Sequence, residues 1–520
     1  MQKVSDRMLL DQRVITLTSQ GYNVRGDGVT DDTVAIKAAF QAAAAMGLKL
    51  YVPGYDYKLT NTLSWTITSD FEVECHPGAT FIADSSFPVD AKMVQPSSST
   101  GTNRFKWVGG TLDGRNMPAR VSGAPDLLYI SSQNLKYVEI EGVKFLNNND
   151  RTGTAGDSSL FLAEGEDYKV TKCYFQGAVD SGIYISGDNA ETVGRRCLVT
   201  DCTFKDLGVG VISKRGFQDH TVNDNEFERV NTAVVIGGIG DVGTTGRKAT
   251  INDNILKNVS RGIEARVADG TVIMGNRIED WGISAAGAAV AEYAIRIAGS
   301  KYCDVVGNVC IQTGLVTPNA ATAGILFERR TELGVDYDST DNLALGNMIR
   351  GASRGVVETT GADRNVIRGN PMSGLTGARM VIVGASTLYE DIDVGNTRSH
   401  QRFGASGATP INGSITVVEN DGDLIESKLT PGTNAYILMV GDPASNSVGR
   451  IAYDHTTDRW TFRAGGGGVS FSIGNGTTGF YATTPIAKPT VTGSRGGNAA
   501  LASVLTQLAA LGLLTDSSSA

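Results

Sequence analysis

Alternating apolar and polar positions recur along the chain from about residue 105 to residue 372. One column of this repeat aligns the segments WVGGTL, IEGVKF, VTKCYF, VTDCTF, VNDNEF, INDNIL, IMGNRI, VVGNVC, ALGNMI and IRGNPM, whose fourth residues lie 22 to 39 positions apart. A second column follows, with SLFL at 159, GIYI at 182, GVIS at 210, AVVI at 233, GIEA at 262, AIRI at 294, GILF at 324 and GVVE at 355. Alternation in both columns predicts at least two short strands per repeat, separated by tight turns.

Repeats made of short strands, without helical spacing inside them, predict a coil in which each turn pairs with the next one. This arrangement is a parallel β-helix. A leucine-rich repeat needs more leucine and a shorter period, and a propeller needs about four strands in ~40 residues with antiparallel turns. Both alternatives fit less well.

Asparagine fills the first column in six successive repeats. These residues are Asn225, Asn254, Asn276, Asn308, Asn347 and Asn370. Asparagine tolerates the left-handed backbone that a tight bend requires, and stacked amides can hydrogen-bond between turns. We expect the asparagine column to form the tight bends and to hydrogen-bond from one turn of the coil to the next.

The second column also predicts which side chains point into the coil. Its inward positions are all β-branched and apolar: Ile183, Val211, Val234, Ile263, Ile295, Ile325 and Val356. By alternation, the neighbouring outward positions include Tyr184, Glu264, Arg266, Arg296 and Glu328. Neighbouring strands lie about 4.8 Å apart, so these side chains should form one outer surface.

The N-terminal region predicts a helix followed by two strands. Thr30 or Asp31 is suited to cap the helix, and Val34, Ala35, Ala38 and Ala42 recur at helical spacing. LYVPGYDYKL then reads as two strands around a Pro-Gly bend. Asp27, Asp31 and Asp32 are interpreted as turn and cap carboxylates rather than as an acid or metal site.

Beyond residue 400 the repeat stops. ATPINGSITVVENDGDLIESKLT and GRIAYDHTTDRWTFRAGGGGVSFSIGNG show hairpin-like alternation, and their Tyr453, Trp460 and Phe462 fit either sugar stacking or a small β core. The last stretch places Leu501, Val504, Leu505, Leu508 and Leu511 on one helical face. Self-association would cover this face, and docking onto the same chain is the alternative.

Composition narrows the function. The 520 residues carry a net charge of −9, which is the wrong sign for a phosphate-backbone binder, so no nucleic acid partner is expected. No apolar run reaches 18 residues and the first residues lack signal-peptide order, which predicts a soluble protein without membrane insertion.

The six cysteines are expected to be reduced, with Cys173 and Cys202 forming a buried thiol stack rather than a disulfide. The four histidines lie far apart in the sequence, which predicts no metal site or cofactor.

The motif GDGVTDDTVAIKAA, the segment LYVPGYDYKL and the asparagine column together resemble the pectate-lyase-like superfamily of right-handed parallel β-helices. The closing segment TVTGSRGGNAALASVLTQLAALGLLTDS is similar to the C-terminal ends of bacteriophage tailspikes and tail fibres. The resemblance implies a tailspike depolymerase: a homotrimer on the phage tail of the virion, joined to tail or baseplate proteins and acting outside the host on its surface polysaccharide.

The predicted fold is therefore all-β: a right-handed parallel β-helix with a helical cap, a β module and an oligomerising helix. The predicted divisions are 1–60 for the N-terminal segment and cap, 61–400 for the β-helix, 401–485 for the β-rich module and 486–520 for the trimerisation helix.

The predicted chemistry is hydrolysis of a glycosidic bond by paired carboxylates, which are separated by ~5 Å in retaining and ~6.5 to 9.5 Å in inverting enzymes. Glu264, Glu328 and Glu292 are the candidate catalytic residues, although an exposed cross-turn ion pair between Glu264 and Arg296 would explain Glu264 equally well. The candidate sugar-binding residues are Arg266, Arg296, Tyr184 and Trp281.

Three functions stay open. The first is an endo-acting glycosidase on capsule, exopolysaccharide or O-antigen. The second is a polysaccharide lyase in which Tyr184, Arg266 or Arg296 assists β-elimination. The third is a non-catalytic receptor-binding fibre.

Overall fold

The computed structural model consists of two compact units, which divide between residues 398 and 410. The described residues are 14–19, 21–98, 103–119, 121–122, 124–131, 135–148, 158–187, 194–237, 248–282, 292–314, 322–376, 380–384, 386–393, 401–405, 434–442, 445–454, 458–464, 469–474, 477–480, 486–510 and 513–520.

The first unit is a right-handed parallel β-helix, as the repeat predicts. Its strands form one hydrogen-bonded network with three faces, named here sheets 1, 2 and 3. Sheet 1 contains Val14–Thr16, Lys49–Val52, Phe71–Cys75, Asn103–Val108, Leu135–Glu141, Glu166–Thr171, Arg195–Thr200, Gln218–Asn223, Ala249–Asn252, Val272–Met274, Asp304–Val306, Leu343–Leu345, Val366–Ser373 and Leu388–Asp393. Sheet 2 contains Asp27–Asp31, Asp56–Leu59, Thr80–Ala83, Thr111–Asp113, Lys144–Leu146, Tyr174–Gln176, Ile255–Val259, Arg277–Trp281, Val309–Ile311 and Met348–Arg350.

Sheet 3 contains Leu63–Ile67, Val94–Ser98, Leu128–Ser131, Ser158–Ala163, Ser181–Ser186, Arg261–Arg266, Tyr293–Ala298, Ala323–Glu328, Arg354–Glu358 and Met380–Val381. Two long strands, Thr203–Lys214 and Glu226–Ile236, run from sheet 2 into sheet 3. The antiparallel pair Arg330–Glu332 and Val335–Tyr337 follows directly after sheet 3, and Ser339–Thr340 pairs with Ala362–Asp363. Gln401–Ala405 belongs to the large network as well.

The asparagine column forms a continuous hydrogen-bonded ladder at the turn between sheets 1 and 2. The amide of each residue donates to the side-chain oxygen of the next one, for example from Asn254 to Asn276 at 2.9 Å and from Asn308 to Asn347 at 2.9 Å. The predicted left-handed backbone lies one residue earlier, at Asp224 and Asp253 and then at Gly275. The preceding Asp or Gly makes the bend, and the buried asparagine satisfies the backbone that the bend leaves open.

The inward positions predicted for sheet 3 are all fully buried, from Ile183 to Val356. Opposite them, Phe145, Phe175, Phe204 and Phe227 stack through four successive coils at centroid distances of 4.6 to 4.9 Å. All six cysteines are buried free thiols, so Cys173 and Cys202 form no disulfide.

Helix α1, Thr33–Met46, covers the N-terminal end of this core. It is buried through Ile36, Ala39, Phe40, Ala43 and Ala44, whereas the predicted position Val34 is 79% exposed. The predicted face was wrong because an alanine-rich helix is apolar nearly all round, and the large Phe40 ring decides which side packs.

The N-terminal cap also differs from the prediction. Asp32 occupies the N-cap position, and its carboxylate accepts hydrogen bonds from the backbone of Arg25 and Gly26 at 2.7 and 2.9 Å. Asp27 accepts from the backbone of Val29 and Thr30. The aspartates in this region are therefore turn carboxylates, as expected.

The second unit contains an antiparallel sheet of Asn434–Asp442, Ser445–Asp454, Arg459–Ala464, Val469–Gly474, Thr477–Phe480 and Ile486–Ala487. Tyr453 packs against Trp460 with ring centroids 5.2 Å apart, and Trp460 remains 37% exposed. The predicted hairpin at 408–430 lies outside the described residues.

The chain closes with strand Thr490–Ser494, helix α2 at Ala499–Ala510 and strand Thr515–Ser519. The two strands pair in parallel, so the predicted continuous helical tail is in fact a helix that crosses between two strands. Leu505 is buried, while Leu501 and Val504 are 42% and 53% exposed. Leu511 lies outside the described residues.

Candidate functional site

The outer surface of sheet 3 carries most of the predicted site residues. Ile263 and Ala265 point into the core, so Glu264 between them points outward, as alternation predicts. The strand register then places Glu264 beside Arg296 on the next coil, and Ala298 beside Glu328 on the coil after that.

Glu264 is nevertheless completely buried, which corrects the expectation of an exposed ion pair. Its carboxylate accepts from the Arg266 guanidinium at 2.5 Å and from the Arg296 guanidinium at 2.6 Å. The hydroxyl of Tyr293 donates a third bond at 2.7 Å. These three partners cover the carboxylate and leave no path for a substrate to reach it.

The pKa of Glu264 also argues against a role as a general acid. Burial by itself raises the pKa of this carboxyl, but the Arg266 and Arg296 guanidiniums and the Tyr293 hydroxyl outweigh it and hold the pKa below its ordinary value. A general acid in glycoside hydrolysis requires a raised pKa and access to the leaving oxygen. Glu264 shows neither property in this structure, where it forms ion pairs with both arginines.

Glu328 is the more accessible of the predicted acids. Its side chain is 19% exposed, and it forms an ion pair with the guanidinium of Arg296, whose side chain is 16% exposed. Arg296 therefore bridges Glu264 and Glu328 with separate nitrogens. Arg266 is similarly accessible, at 13%.

Glu292 is only 3% exposed. Its carboxylate lies against Gly282, where a β-carbon would approach the Oε2 atom to 2.9 Å. A carboxylate with this little exposure is poorly placed to contact a substrate directly, and the catalytic role of Glu292 stays a prediction.

Trp281 is a core residue, which corrects its assignment to sugar binding. It is fully buried, and its indole N–H donates to the backbone oxygen of Ala323 at 3.1 Å. The preceding Asp280 has a left-handed φ of 52°, which breaks the alternation of the strand and turns Trp281 inward.

Tyr184 belongs to a stack of rings on the outside of sheet 3. Phe161 lies between Tyr129 and Tyr184 with centroid distances of 4.8 and 5.0 Å. The ammonium of Lys214 lies 5.2 Å from the Tyr184 centroid, and that of Lys92 lies 4.9 Å from the Tyr129 centroid. Both faces of Tyr184 are thus covered by its neighbours, which leaves the ring edge rather than a face for contact with a sugar.

Sequence reasoning missed Tyr293. Alternation assigns this residue to the interior, yet it packs outside the core with Ala323, Leu326 and Val357. It lies at the start of its strand, where the chain is still entering sheet 3, and the strict alternation that holds for Ile295 and Ile297 does not extend to it. In the sequence, the sign of this outward packing is the aromatic residue at the first position of the strand.

Comparison with known structures identifies the fold. The tailspike protein of Dettilon is 19% identical, with 87% of this chain and 78% of that chain covered at a TM-score of 0.51. PfbA, a surface adhesin of Streptococcus pneumoniae, is 15% identical over 80% of this chain and 99% of its own, at 0.54. A hyperthermoactive exopolygalacturonase from Thermotoga maritima is 14% identical over 78% and 98%, at 0.50. The chain has the right-handed parallel β-helix fold that is shared by tailspikes and polygalacturonase-like proteins.

A family model described as periplasmic copper-binding protein (NosD) matches residues 120–314. The cysteines in this span are buried free thiols, and the buried His220 Nε2 contacts Ser213 Oγ and the Phe217 carbonyl. Across the described residues, no group of three or more His, Cys, Asp or Glu side chains is arranged to hold a metal ion. The described side chains of this span therefore offer no grouping suited to copper. Among the described helices, none has the length and apolar character needed to cross a membrane.

Proposed function

We propose that the protein binds and depolymerises a bacterial surface polysaccharide by endo-glycosidic hydrolysis, on the outer surface of sheet 3. The observation that carries the proposal is the ion pair between Glu328 and Arg296, which holds a partly exposed carboxylate on a rigid strand. The fold supports the same conclusion, because solved structures with this fold include a tailspike and an exopolygalacturonase.

In this proposal Glu328 is the catalytic carboxylate, and Arg266 and Arg296 bind the sugar or its acidic groups. Glu264 is a positioning residue, since it touches both arginines and is itself covered. Hydrolysis needs a second carboxyl group. The buried positions of Glu264 and Glu292 leave this role to a carboxylate from elsewhere in the chain or from a neighbouring subunit.

The decisive experiment is incubation with polysaccharide from a susceptible bacterium in ¹⁸O-labelled water, followed by mass analysis of the fragments. A hydrolase yields fragments that carry the label at the new reducing end. The result that overturns the proposal is intact polysaccharide that the protein demonstrably binds.

Two other functions have an observation in their favour. A lyase fits the paired guanidiniums of Arg266 and Arg296, because neutralising a uronate carboxylate assists proton removal beside it. Its products absorb in the near ultraviolet and contain no label from water. A non-catalytic fibre fits the similarity to PfbA, which is described as a surface adhesin.

We also propose that the chain works as a homotrimer on the phage tail, outside the host cell, and attaches through tail or baseplate proteins. The exposed apolar residues Leu501 and Val504 on helix α2 support self-association, because apolar side chains at neighbouring helical positions are stabilised when a second chain covers them. Light scattering of the intact protein tests it, and a single-chain mass of 54.7 kDa would contradict it.

A further inference from the structure

The stack of aromatic rings on the outside of sheet 3 lies between two lysines. Tyr129, Phe161 and Tyr184 occupy aligned outward positions on three successive coils. The ammonium of Lys92 comes from the coil before them and lies 4.9 Å from the Tyr129 centroid, and that of Lys214 comes from the coil after them and lies 5.2 Å from the Tyr184 centroid. We name these five residues the ring ladder. Stacking and the two cation–π contacts fix it as a preformed surface.

The strands beneath the ring ladder differ in charge from the rest of the chain. Five successive strands of sheet 3 contain no charged residue: Leu63–Ile67, Val94–Ser98, Leu128–Ser131, Ser158–Ala163 and Ser181–Ser186. The whole chain carries a net charge of −9. This part of sheet 3 is therefore a neutral face with a lysine ammonium at each end of its rings, in a protein that is acidic overall.

Lysines on the other two sheets are paired with carboxylates across coils. On sheet 1, Glu139 lies between Lys106 and Lys169, and each ammonium is 3.4 Å from it. On sheet 2, Lys205 pairs with Glu228 at 3.0 Å. Such pairs neutralise the surface that a ligand would meet. On sheet 3 the cations lie over rings instead, which keeps the surface suited to an anion.

The acidic residues in the segments that lead into sheet 3 are engaged by the backbone. Asp90 accepts hydrogen bonds from the N–H groups of Val121 and Ser122 at 2.8 and 2.9 Å. Asp126 is fully buried and accepts from the N–H of Ser158 at 2.9 Å. These bonds hold both carboxylates in the connecting segments rather than at outward strand positions.

We propose that the ring ladder is a second polysaccharide-binding surface, and that the polysaccharide it takes is acidic. This inference rests on the proposed function and deepens it, because it names the class of substrate as a sugar chain that bears carboxylate groups. Lys92 and Lys214 bind the carboxylates through charge-assisted hydrogen bonds. The hydroxyl groups of Tyr129 and Tyr184 both donate and accept, which suits them to sugar hydroxyls at the ring edges.

The ring ladder lies on the same sheet as the candidate catalytic residue. The strand register places Glu328 five coils beyond Tyr184, which corresponds to about 24 Å along the β-helix. A long chain bound at Glu328 reaches the ring ladder, whereas a short fragment does not. Attachment at a second point raises the effective concentration of the chain at the first. The ring ladder therefore contributes to the affinity for long chains and leaves the turnover of short fragments unchanged.

The first test is the double variant Lys92→Gln and Lys214→Gln of the intact chain, measured by calorimetry against purified long-chain polysaccharide from a susceptible bacterium. We expect the Kd to rise at least ~10-fold, because hydrogen bonds to two charged groups are lost. Lys37→Gln with Lys144→Gln is the matched control, since both lysines are exposed outside sheet 3 and the change in charge is the same. An equal Kd in the two double variants overturns the inference.

The second test changes the ligand. Reduction of the carboxyl groups to alcohols keeps the sugar chain and removes its charge. Wild-type protein should bind the reduced polysaccharide at least ~10-fold more weakly, and the variant at Lys92 and Lys214 should lose less affinity on reduction than the wild type does. A native polysaccharide without carboxyl groups, or an equal loss in both proteins, contradicts the inference.

A third measurement separates this inference from the proposed function. The variant at Lys92 and Lys214 should cleave short fragments at the wild-type rate, with a raised KM for the long chain alone. An equal loss of kcat on short and long substrates would place the lysines in the reaction itself and overturn the inference, while the hydrolase would stand. Wild-type protein that neither binds nor cleaves the native polysaccharide would instead overturn the proposed function, and the inference with it.

Discussion

The hydroxyl of Tyr293 donates a 2.7 Å hydrogen bond to Glu264 on the preceding coil of sheet 3. Together with Arg266 and Arg296, this bond turns an outward-pointing glutamate into a buried, ionised group. The contact separates two roles that the sequence alone could not separate. Glu264 is enclosed by its three partners, whereas the Glu328 side chain is 19% exposed.

Glu328→Gln should lower hydrolysis at least ~100-fold, because removal of a positioned general acid or base typically costs 10² to 10⁴ in rate. Its effect on unfolding should be small, since a partly exposed ion pair contributes ~0 to 1 kcal/mol. Turnover and thermal unfolding are measured on the same preparation. Glu279→Gln is a matched control, because Glu279 is 20% exposed and is also paired with an arginine. Retention of more than about a tenth of wild-type turnover in Glu328→Gln would remove Glu328 from the mechanism.

Glu264→Gln should destabilise the fold strongly, by roughly 3 to 5 kcal/mol, because it leaves two guanidiniums without their buried partner. Tyr293→Phe removes one hydrogen bond and should cost only about 1 kcal/mol.

The stability that Glu264 contributes should depend on pH. Because the folded-state pKa of Glu264 is lowered, this stability is present above the ordinary pKa of 4.5 and is lost as the pH falls below it. Denaturant unfolding between pH 6 and pH 3 should therefore show a smaller acid loss in Glu264→Gln than in the wild type. Equal slopes would contradict the buried ionised state.

Alternation along the strands explains why much of the fold was predictable. Inward positions such as Ile263 and Ile295 must be apolar in every coil, so the same apolar pattern recurs along the sequence. Exposure of an outward residue is a different matter. It depends on how far the side chains of Arg266, Arg296 and Tyr293 reach over Glu264, and no periodic pattern encodes that distance. Trp281 was misassigned for a related reason, because a single left-handed residue before it reverses the direction of its side chain.

His220 should make the fold sensitive to mild acid. Burial lowers its pKa from 6.5 to about 4, so the neutral form is favoured in the folded state. The unfolded chain binds a proton more readily between these values, and stability should fall as the pH drops from about 6.5 to 4. The loss amounts to about 3 kcal/mol, at 1.36 kcal/mol for each pH unit in the interval. His220→Gln should reduce the slope of unfolding free energy against pH in this window, whereas His76→Gln at an exposed turn serves as the control. An unaltered slope in His220→Gln would show that other groups cause the acid sensitivity.

Asn308→Ala should disrupt the ladder in its middle. The Asn308 oxygen accepts from both the backbone and the side chain of Asn276, at 3.0 and 2.9 Å, and all of these groups are buried. The side-chain amide of Asn276 still donates to the carbonyls of Ile251 and Met274, so the variant leaves its backbone N–H as the donor without a partner. We expect a loss of about 1 to 3 kcal/mol. Asn61→Ala, at an exposed turn, should change stability by less than about 0.5 kcal/mol. Chemical denaturation of both variants makes the comparison, and equal stabilities would show that the ladder contributes little.

Helix α2 should matter for assembly rather than for the β-helix. Leu501 and Val504 are exposed apolar residues on this helix, and a charge at either position opposes burial against another chain. The double variant Leu501→Asp and Val504→Asp should shift the mass seen by light scattering toward the single chain. Its β-type circular dichroism should not change, because the strands of the first unit form their own core. Val34→Asp on α1 is the control, since Val34 is 79% exposed on a helix of similar alanine content. If the double variant keeps the wild-type mass, α2 does not hold the subunits together.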